Sequence, residues 1–252
     1  MEIVPANDER RIGLARALSK LGYCSRSQAG ELIRAGSVQI NGRVRRDPET
    51  PVRIEHDRIV VEGRTAEAAP KIYIAMNKPR GLVTTASDEK GRETVYSIMA
   101  ADLPWIAPVG RLDKASEGLL LLTNDSEWAA RVSAPETHLE KTYHVQIDRV
   151  ADQEFTQALV HGVKTEGKVL LRATDCRLLR TGEKNCWLEI TLDEGKNRQI
   201  RRMLDCLDAD VLRLVRVSIG PLQLGTLAKG SYRFLTMHEK QELDRAMAAK
   251  SK

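Results

Sequence analysis

The sequence predicts an α+β protein, with a small helix-helix-hairpin module over residues 10–63 and a larger domain over 71–252 built on a mostly antiparallel sheet. Three observations carry this prediction. Two short amphipathic helical stretches run into an Asn-Gly hairpin signature, a small-residue segment ending in proline follows at 64–70, and the rest holds many short alternating strands with few helices between them.

A chain of 252 residues with 42% hydrophobic content can bury one large core and one small one. The formal net charge of +5, with arginines spread throughout, suits a polyanionic partner. Aromatic content of 4% argues against a single-strand binder that relies on stacking platforms. Cys24, Cys176, Cys186 and Cys206 lie far apart, with no Cys-x-x-Cys pair and no histidine at ligand spacing, so they read as reduced thiols rather than as metal ligands or a disulfide framework. The start Met1-Glu2-Ile3-Val4-Pro5 lacks a signal pattern, and no apolar run approaches the roughly 18 residues of a membrane span. A cytoplasmic location with no membrane partner is expected.

Leu14, Leu18 and Leu21 fall at helical spacing with Gly22 as the stop, predicting a helix over 10–21. Ser25 with Gln28 forms a capping-box signature ahead of Ala29, Leu32 and Ile33, so a second helix is expected over 26–35, ending at Gly36. The hairpin is then 38–40, Asn41-Gly42 and 43–45, with further strands near 52–54 and 58–61. Residues 64–70 have no periodicity and read as a linker. In the large domain Ile72, Ile74 and Met76 alternate as a strand with one buried face, closed by Asn77-Lys78-Pro79-Arg80-Gly81, and 82–85 is expected to return antiparallel to it. A short helix near 93–99 precedes irregular chain at 104–108.

The central stretch is Gly110-Arg111-Leu112-Asp113, then Ser116-Glu117-Gly118, four leucines from Leu119 to Leu122, and Thr123-Asn124-Asp125. Four consecutive leucines fit a short strand buried on both faces, which pins the polar loop before it to the core. A carboxylate so held can attack, or take a proton from, a bound substrate. Taken alone the tetrad is also compatible with a turn-capping aspartate, the commoner occurrence. Beyond it, 126–132 reads as a helix. Tyr143, Val145 and Ile147 share the inner face of a strand opening at Glu140. In Glu194-Gly195-Lys196-Asn197-Arg198-Gln199-Ile200-Arg201-Arg202-Met203, a helical projection gives Ile200, Met203, Leu204 and Leu207 one apolar face, puts Arg198 and Arg202 nearly opposite it and leaves Arg201 on the boundary. Residues 211–217 alternate as a strand, with apolar residues on one face and Arg213 among the others. A last short strand at 232–235 and a polar helix from His238 complete the chain.

The Gly-Arg-Leu-Asp loop with its aliphatic run and Thr-Asn-Asp ending, the Asn-Lys-Pro-x-Gly turn and the Lys-x-Tyr strand together resemble the pseudouridine synthases that modify ribosomal RNA. Leu18, Gly22, Cys24-Ser25-Arg26, Ile33, Gly36-Ser37-Val38 and Asn41-Gly42 resemble the S4-type RNA-binding module. The resemblance implies isomerisation of a uridine in ribosomal RNA, without metal or cofactor. It implies that Asp113 is the catalytic acid group, as nucleophile or as base, that the Tyr143 ring packs on the target uracil, and that Arg201 forms a salt bridge with Asp113. By weaker analogy Leu214 lines the pocket. Arg111 would fill the space left by a flipped nucleotide or hold its phosphate, with Lys196, Arg198 and Arg202 on the RNA backbone. In the small module Lys20, Arg26, Arg34 and Arg43 are the expected phosphate contacts. The expected partner is structured ribosomal RNA or a pre-ribosomal particle, engaged by a monomer. An RNA-binding assembly factor with a relic fold, or a synthase acting on transfer RNA, are the alternatives.

Overall fold

The structure, a computed structural model, describes residues 11–85, 90–165 and 169–249. The chain forms two compact units. One comprises the residues through Ile72 with Ala101–Ala107 and Asn124–Ser126, and the other comprises Tyr73–Ala100, Pro108–Thr123 and the chain from Glu127 onward.

The first unit runs β1 (Ile12–Gly13), α1 (Leu14–Lys20), α2 (Arg26–Ala35), β2 (Val38–Ile40), β3 (Arg43–Arg45), β4 (Pro51–Val52), β5 (Ile59–Val61) and β6 (Arg64–Thr65). α2 starts and stops where its sequence signals lie. The Ser25 hydroxyl accepts from the Gln28 amide at 3.2 Å, the Gln28 side chain accepts from the Ser25 amide at 3.1 Å, and Gly36 closes the helix at φ +82°. Asn41 and Gly42 both take positive φ, 51° and 79°, as a type I′ turn requires, and this fixes the register of β2 on β3. Leu14, Leu18, Ile33, Val38, Ile59 and Val61 fill the small core.

Two boundaries differ from the sequence expectation. The first helix begins at Leu14 rather than at residue 10, because Ile12 and Gly13 pair with Val52 and Pro51 instead. Arg64 and Thr65, read as the start of the linker, add β6 to the open edge of β5, where unpaired backbone groups are available.

The second unit contains β7 (Tyr73–Lys78), β8 (Ala107–Val109), β9 (Glu117–Thr123), α3 (Ser126–Ser133), β10 (Lys141–Ile147), α4 (Gln153–His161), β11 (Val163–Lys164), β12 (Leu170–Leu171), β13 (Asp175–Thr181), β14 (Cys186–Leu192), α5 (Gln199–Asp205), β15 (Val211–Ile219), β16 (Leu222–Gln223), β17 (Tyr232–Phe234) and α6 (Met237–Ala249). Its main sheet has the order β13-β14-β10-β15-β9-β7-β17, with β16 beside β15 and β8 beside β9. The β9–β15 pair is parallel; the neighbours on either side of it pair antiparallel, so the sheet is mostly antiparallel as expected. Every residue of β9 is buried, as its leucine run predicts. Val145, Ile147, Leu188 and Ile190 pack with Leu159 of α4 and Ile200, Met203 and Leu204 of α5. A second cluster joins Ala75, Leu119 and Leu121 to Trp128 and Val132 of α3 and to Leu243 and Met247 of α6. The C-terminal helix, polar by sequence, therefore contributes to the core.

Four expectations are corrected. Ile74, Ala75 and Met76 are all buried, not one face alone; the Ala75 face packs against Trp128 of α3 and Leu243 of α6. Both edges of β7 are taken, by β9 and β17, so 82–85 does not pair with it; Val83 instead makes a parallel bridge with Thr94. In β15 Leu214, Arg216 and Ser218 are buried along one face, with Ile219 buried at the end, while Val215 and Val217 are half-buried, because β10 sets its inner face through Tyr143 opposite Arg216 and Val145 opposite Leu214. The short helix near 93–99 is a 3₁₀ turn over Val95–Ile98.

The parallel contact depends on one glycine. Gly118 has φ +99°, and a Cβ there would overlap the Arg216 backbone, which cannot swing aside. Gly118→Ala is expected to cost about 2 kcal/mol or more from strain and overpacking, read as a lower urea midpoint than wild type.

Candidate active site

The loop carrying Asp113 lies between β8 and β9 and is held by its backbone. Lys78, at the end of β7, has no exposed surface, and its ammonium donates to the carbonyls of Pro79 at 3.1 Å, Asp113 at 3.1 Å and Ser116 at 2.9 Å. The Thr84 hydroxyl donates to the Leu112 carbonyl at 2.7 Å, the Gly81 amide donates to the Lys114 carbonyl at 2.8 Å, and the Ser116 amide donates to the Asp113 carbonyl at 3.0 Å. The loop is thus tied down on the protein side, while the Asp113 side chain remains 39% exposed. Burial pulls the Lys78 pKa down to about 8, against the opposing pull of the Asp113 and Glu117 charges.

At the start of β9 the buried Glu117 receives both Nε and Nη2 of Arg213 at 3.1 Å and Nζ of Lys229 at 2.6 Å. Burial pushes its carboxyl up, but the hydrogen bonds from Arg213 and Lys229 outweigh that and hold it below the usual glutamate range.

Asp113 faces a cavity of about 640 Å³ lined also by Arg111, Tyr143, Lys196, Arg198, Arg201, Leu214 and Arg216. Tyr143 is half-buried on β10, directly opposite Arg216 on β15, with Leu214 buried two residues along the same face. The sequence thus brings together the acid, the tyrosine and the leucine that it singled out. The opposite wall is the turn 194–198. It is shaped by the buried Gln199, whose side-chain amide donates to Glu194 at 2.9 Å and to the Arg172 carbonyl at 3.1 Å, and whose carbonyl oxygen accepts from the Lys196 amide at 3.2 Å. Lys196 pairs with Glu194 at 2.9 Å.

The expected ion pair is corrected. Arg198, not Arg201, pairs with Asp113, with Nη1 to Oδ2 at 3.5 Å. Arg198 precedes the first turn of α5 in the left-handed region, φ +49°, so the helical projection that turned it away from the cleft does not apply to it. The Arg201 guanidinium instead donates to the carbonyls of Ala115 at 3.4 Å and Val211 at 3.5 Å, tying the Asp113 loop to β15. Burial lowers its pKa and the Arg198 charge adds to this, while the Asp113 charge opposes it, so Arg201 senses the carboxylate without pairing to it.

Arg202 does not line the cavity; it donates to the Thr165 hydroxyl at 2.9 Å. Arg111 is exposed at the mouth. The remaining basic residues belong to the first unit. Arg26 and Arg34 share a hollow along α2 with Arg16, Glu31 and Glu49, Arg43 is exposed on β3, and Lys20 ends α1 half-buried. Lys78, Glu117 and Arg216 escape a sequence reading that looks for motifs. The available signal is charge inside otherwise apolar strands, where a buried ionic group needs a reason.

Among the described residues no helix is long and apolar enough to cross a membrane, and no group of three His, Cys, Asp or Glu side chains is placed to hold a metal ion.

The family described as RNA pseudouridylate synthase matches residues 72–205, and the S4 domain matches residues 12–66. The chain is 35% identical over 237 residues to the ribosomal large subunit pseudouridine synthase B of Bacillus subtilis (strain 168), covering 93% of this chain and 96% of the relative. It is also 35% identical over 241 residues to an uncharacterized RNA pseudouridine synthase of Aquifex aeolicus (strain VF5), covering 95% and 96%. A crystal structure of a pseudouridylate synthase superposes with a TM-score of 0.65 at 30% identity, covering 92% of this chain and 99% of that one. With an S4 domain ahead of a synthase fold, and relatives that match it almost end to end, the chain belongs to the RNA pseudouridylate synthase family of isomerases.

Proposed function

We propose that this enzyme isomerises a specific uridine of ribosomal RNA to pseudouridine in the cleft around Asp113. The observation that carries the reading is the Asp113 carboxylate, free of the core and facing a cavity beside Tyr143 and Leu214, on a loop whose backbone Lys78 holds from beneath. The uracil must leave the sugar at nitrogen 1, rotate while held, and rejoin through carbon 5. Asp113 acts on the sugar or the base. Arg198 sets its guanidinium against the Asp113 carboxylate at 3.5 Å. The Tyr143 ring packs on the uracil and its hydroxyl relays a proton. Arg111 takes the space of the everted nucleotide or its phosphate, and Lys196 lies where backbone phosphates would pass.

In the S4 domain Lys20, Arg26, Arg34 and Arg43 supply salt-dependent phosphate contacts. The enzyme acts as a monomer in the cytoplasm. The name of the Bacillus relative makes large-subunit RNA the first substrate to test.

The test uses large- and small-subunit ribosomal RNA transcripts carrying uridine tritiated at carbon 5. Formation of the new bond at that carbon releases the label, so the expected result is release that plateaus at a fixed small number of tritium atoms per RNA. Tight RNA binding without release from either transcript would overturn the reading and leave an assembly factor on a relic fold.

A further inference from the structure

Among the described residues, Arg216 is a buried cation of the cleft without a carboxylate partner. Arg216 is 6% exposed, faces the cavity, and lies directly across from Tyr143. Its Nε donates to the Leu119 carbonyl at 2.7 Å, which fixes the plane of the guanidinium. Its Nη2 is buried with no hydrogen-bond partner, and among the described residues no carboxylate pairs with it. Arg198 is engaged with Asp113, Lys196 with Glu194 and Arg213 with Glu117, while Arg201, half-buried and also without a carboxylate partner, leaves its Nε unpartnered but spends its two terminal nitrogens on the Val211 and Ala115 carbonyls. A buried guanidinium with an unmade hydrogen bond costs stability, and buried polar groups in native proteins are otherwise nearly always satisfied.

The backbone is built around this placement. A bulge in the β10–β15 register falls between Thr142 and Tyr143, pairing Thr142 with Ser218 and Tyr143 with Arg216 so that Val217 is skipped. Gly118 lets β9 approach the Arg216 backbone more closely than any side chain would allow.

We propose that Arg216 is a further catalytic residue, donating to a carbonyl oxygen of the everted uracil and stabilising the negative charge that the base acquires in the reaction. This rests on the isomerase reading above. When the bond from nitrogen 1 to the sugar breaks, its electron pair stays with the base and spreads onto the two carbonyl oxygens. A fixed cation on a desolvated floor is worth most at that moment. The bond from carbon 5 to the sugar then forms, carbon 5 gives up its proton, and nitrogen 1 takes one up, so the isomerisation balances with no outside reagent. The guanidinium offers only donors, which match the carbonyl oxygens of uracil. Tyr143 beside it on the neighbouring strand would hold the ring while the carbonyl meets the floor.

The test compares wild type, Arg216→Gln, Arg216→Lys and Arg216→Ala on the tritiated transcripts under single-turnover conditions, with RNA affinity measured alongside. Arg216→Gln is expected to slow tritium release by about 100-fold to 1,000-fold, the range for removing one charge-stabilising donor, while RNA Kd stays within about threefold. Arg216→Lys, retaining the charge, should lose less. Guanidinium ion at millimolar concentration should raise the Arg216→Ala rate without affecting wild type, which a purely structural role would not produce. An unchanged rate in Arg216→Gln would overturn the proposal. So would a rate loss matched by an equal loss of RNA affinity and unanswered by guanidinium in Arg216→Ala. Failure of wild type itself to release tritium would sink the isomerase reading instead, so the two failures are distinguishable.

Discussion

Asp113→Asn is expected to reduce tritium release by about 10⁴-fold or more, to below detection, while RNA binding stays within about threefold of wild type. The separation follows from how the loop is held. Lys78 and the Ser116 amide engage the backbone carbonyl of residue 113, which asparagine retains, and the loop around it is tied through Thr84 and Gly81. What asparagine loses is the charge and the ability to attack or accept a proton. The ion pair with Arg198 at 3.5 Å joins two side chains that are 39% and 51% exposed, so its loss should change stability by no more than about 1 kcal/mol. Single-turnover tritium release, filter binding of the same RNA and a thermal melt read the three quantities separately. Turnover near the wild-type rate would remove Asp113 from the chemistry.

Lys78→Met is expected to damage both fold and rate. Methionine matches the length of the lysine stem but leaves the carbonyls of Pro79, Asp113 and Ser116 without their shared donor in a buried site. An unsatisfied buried acceptor costs about 1–3 kcal/mol, and removal of an ammonium that is itself costly to bury offsets part of the total. The net expectation is a loss on the order of 3 kcal/mol in urea denaturation, with a slower single-turnover rate because the Asp113 loop is no longer pinned. The pH dependence has a definite sign. The folded protein releases the Lys78 proton near pH 8, whereas the ordinary value is 10.5. Between these values the unfolded chain binds more protons, so the contribution of Lys78 to stability rises with pH across that window, and below pH 8 the burial penalty applies in full. The gap between wild type and Lys78→Met should therefore widen in favour of wild type from pH 8 to pH 10.5. A constant gap would mean that Lys78 titrates normally.

Local signals were the legible ones. The α2 helix follows from its capping box and terminal glycine, the hairpin from Asn41-Gly42, and the buried central strand from four leucines, since each is decided by residues a few positions apart. Errors arose where a distant partner decides. The burial of Ala75 in β7 draws on α6, more than 150 residues later in the chain, and the inner face of β15 depends on β10. The resemblance points to Arg201 as the partner of Asp113, whereas the left-handed backbone at Arg198, which a helical projection does not anticipate, brings Arg198 to the carboxylate instead. Arg216 was unreadable for a related reason. An arginine in an alternating strand gives no sign of which face the sheet will bury, and only the completed sheet shows it underneath the cleft with a donor to spare.

The parallel junction of β9 with β15 joins residues 117–118 to 215–216, and later still β17 adds to the edge of the sheet and α6 packs against it. During synthesis, the acid loop emerges about a hundred residues before the floor beneath it. A nascent chain can thus complete its S4 domain, and engage RNA with it, well before any reactive hollow exists. The order of translation would separate holding the RNA from altering it.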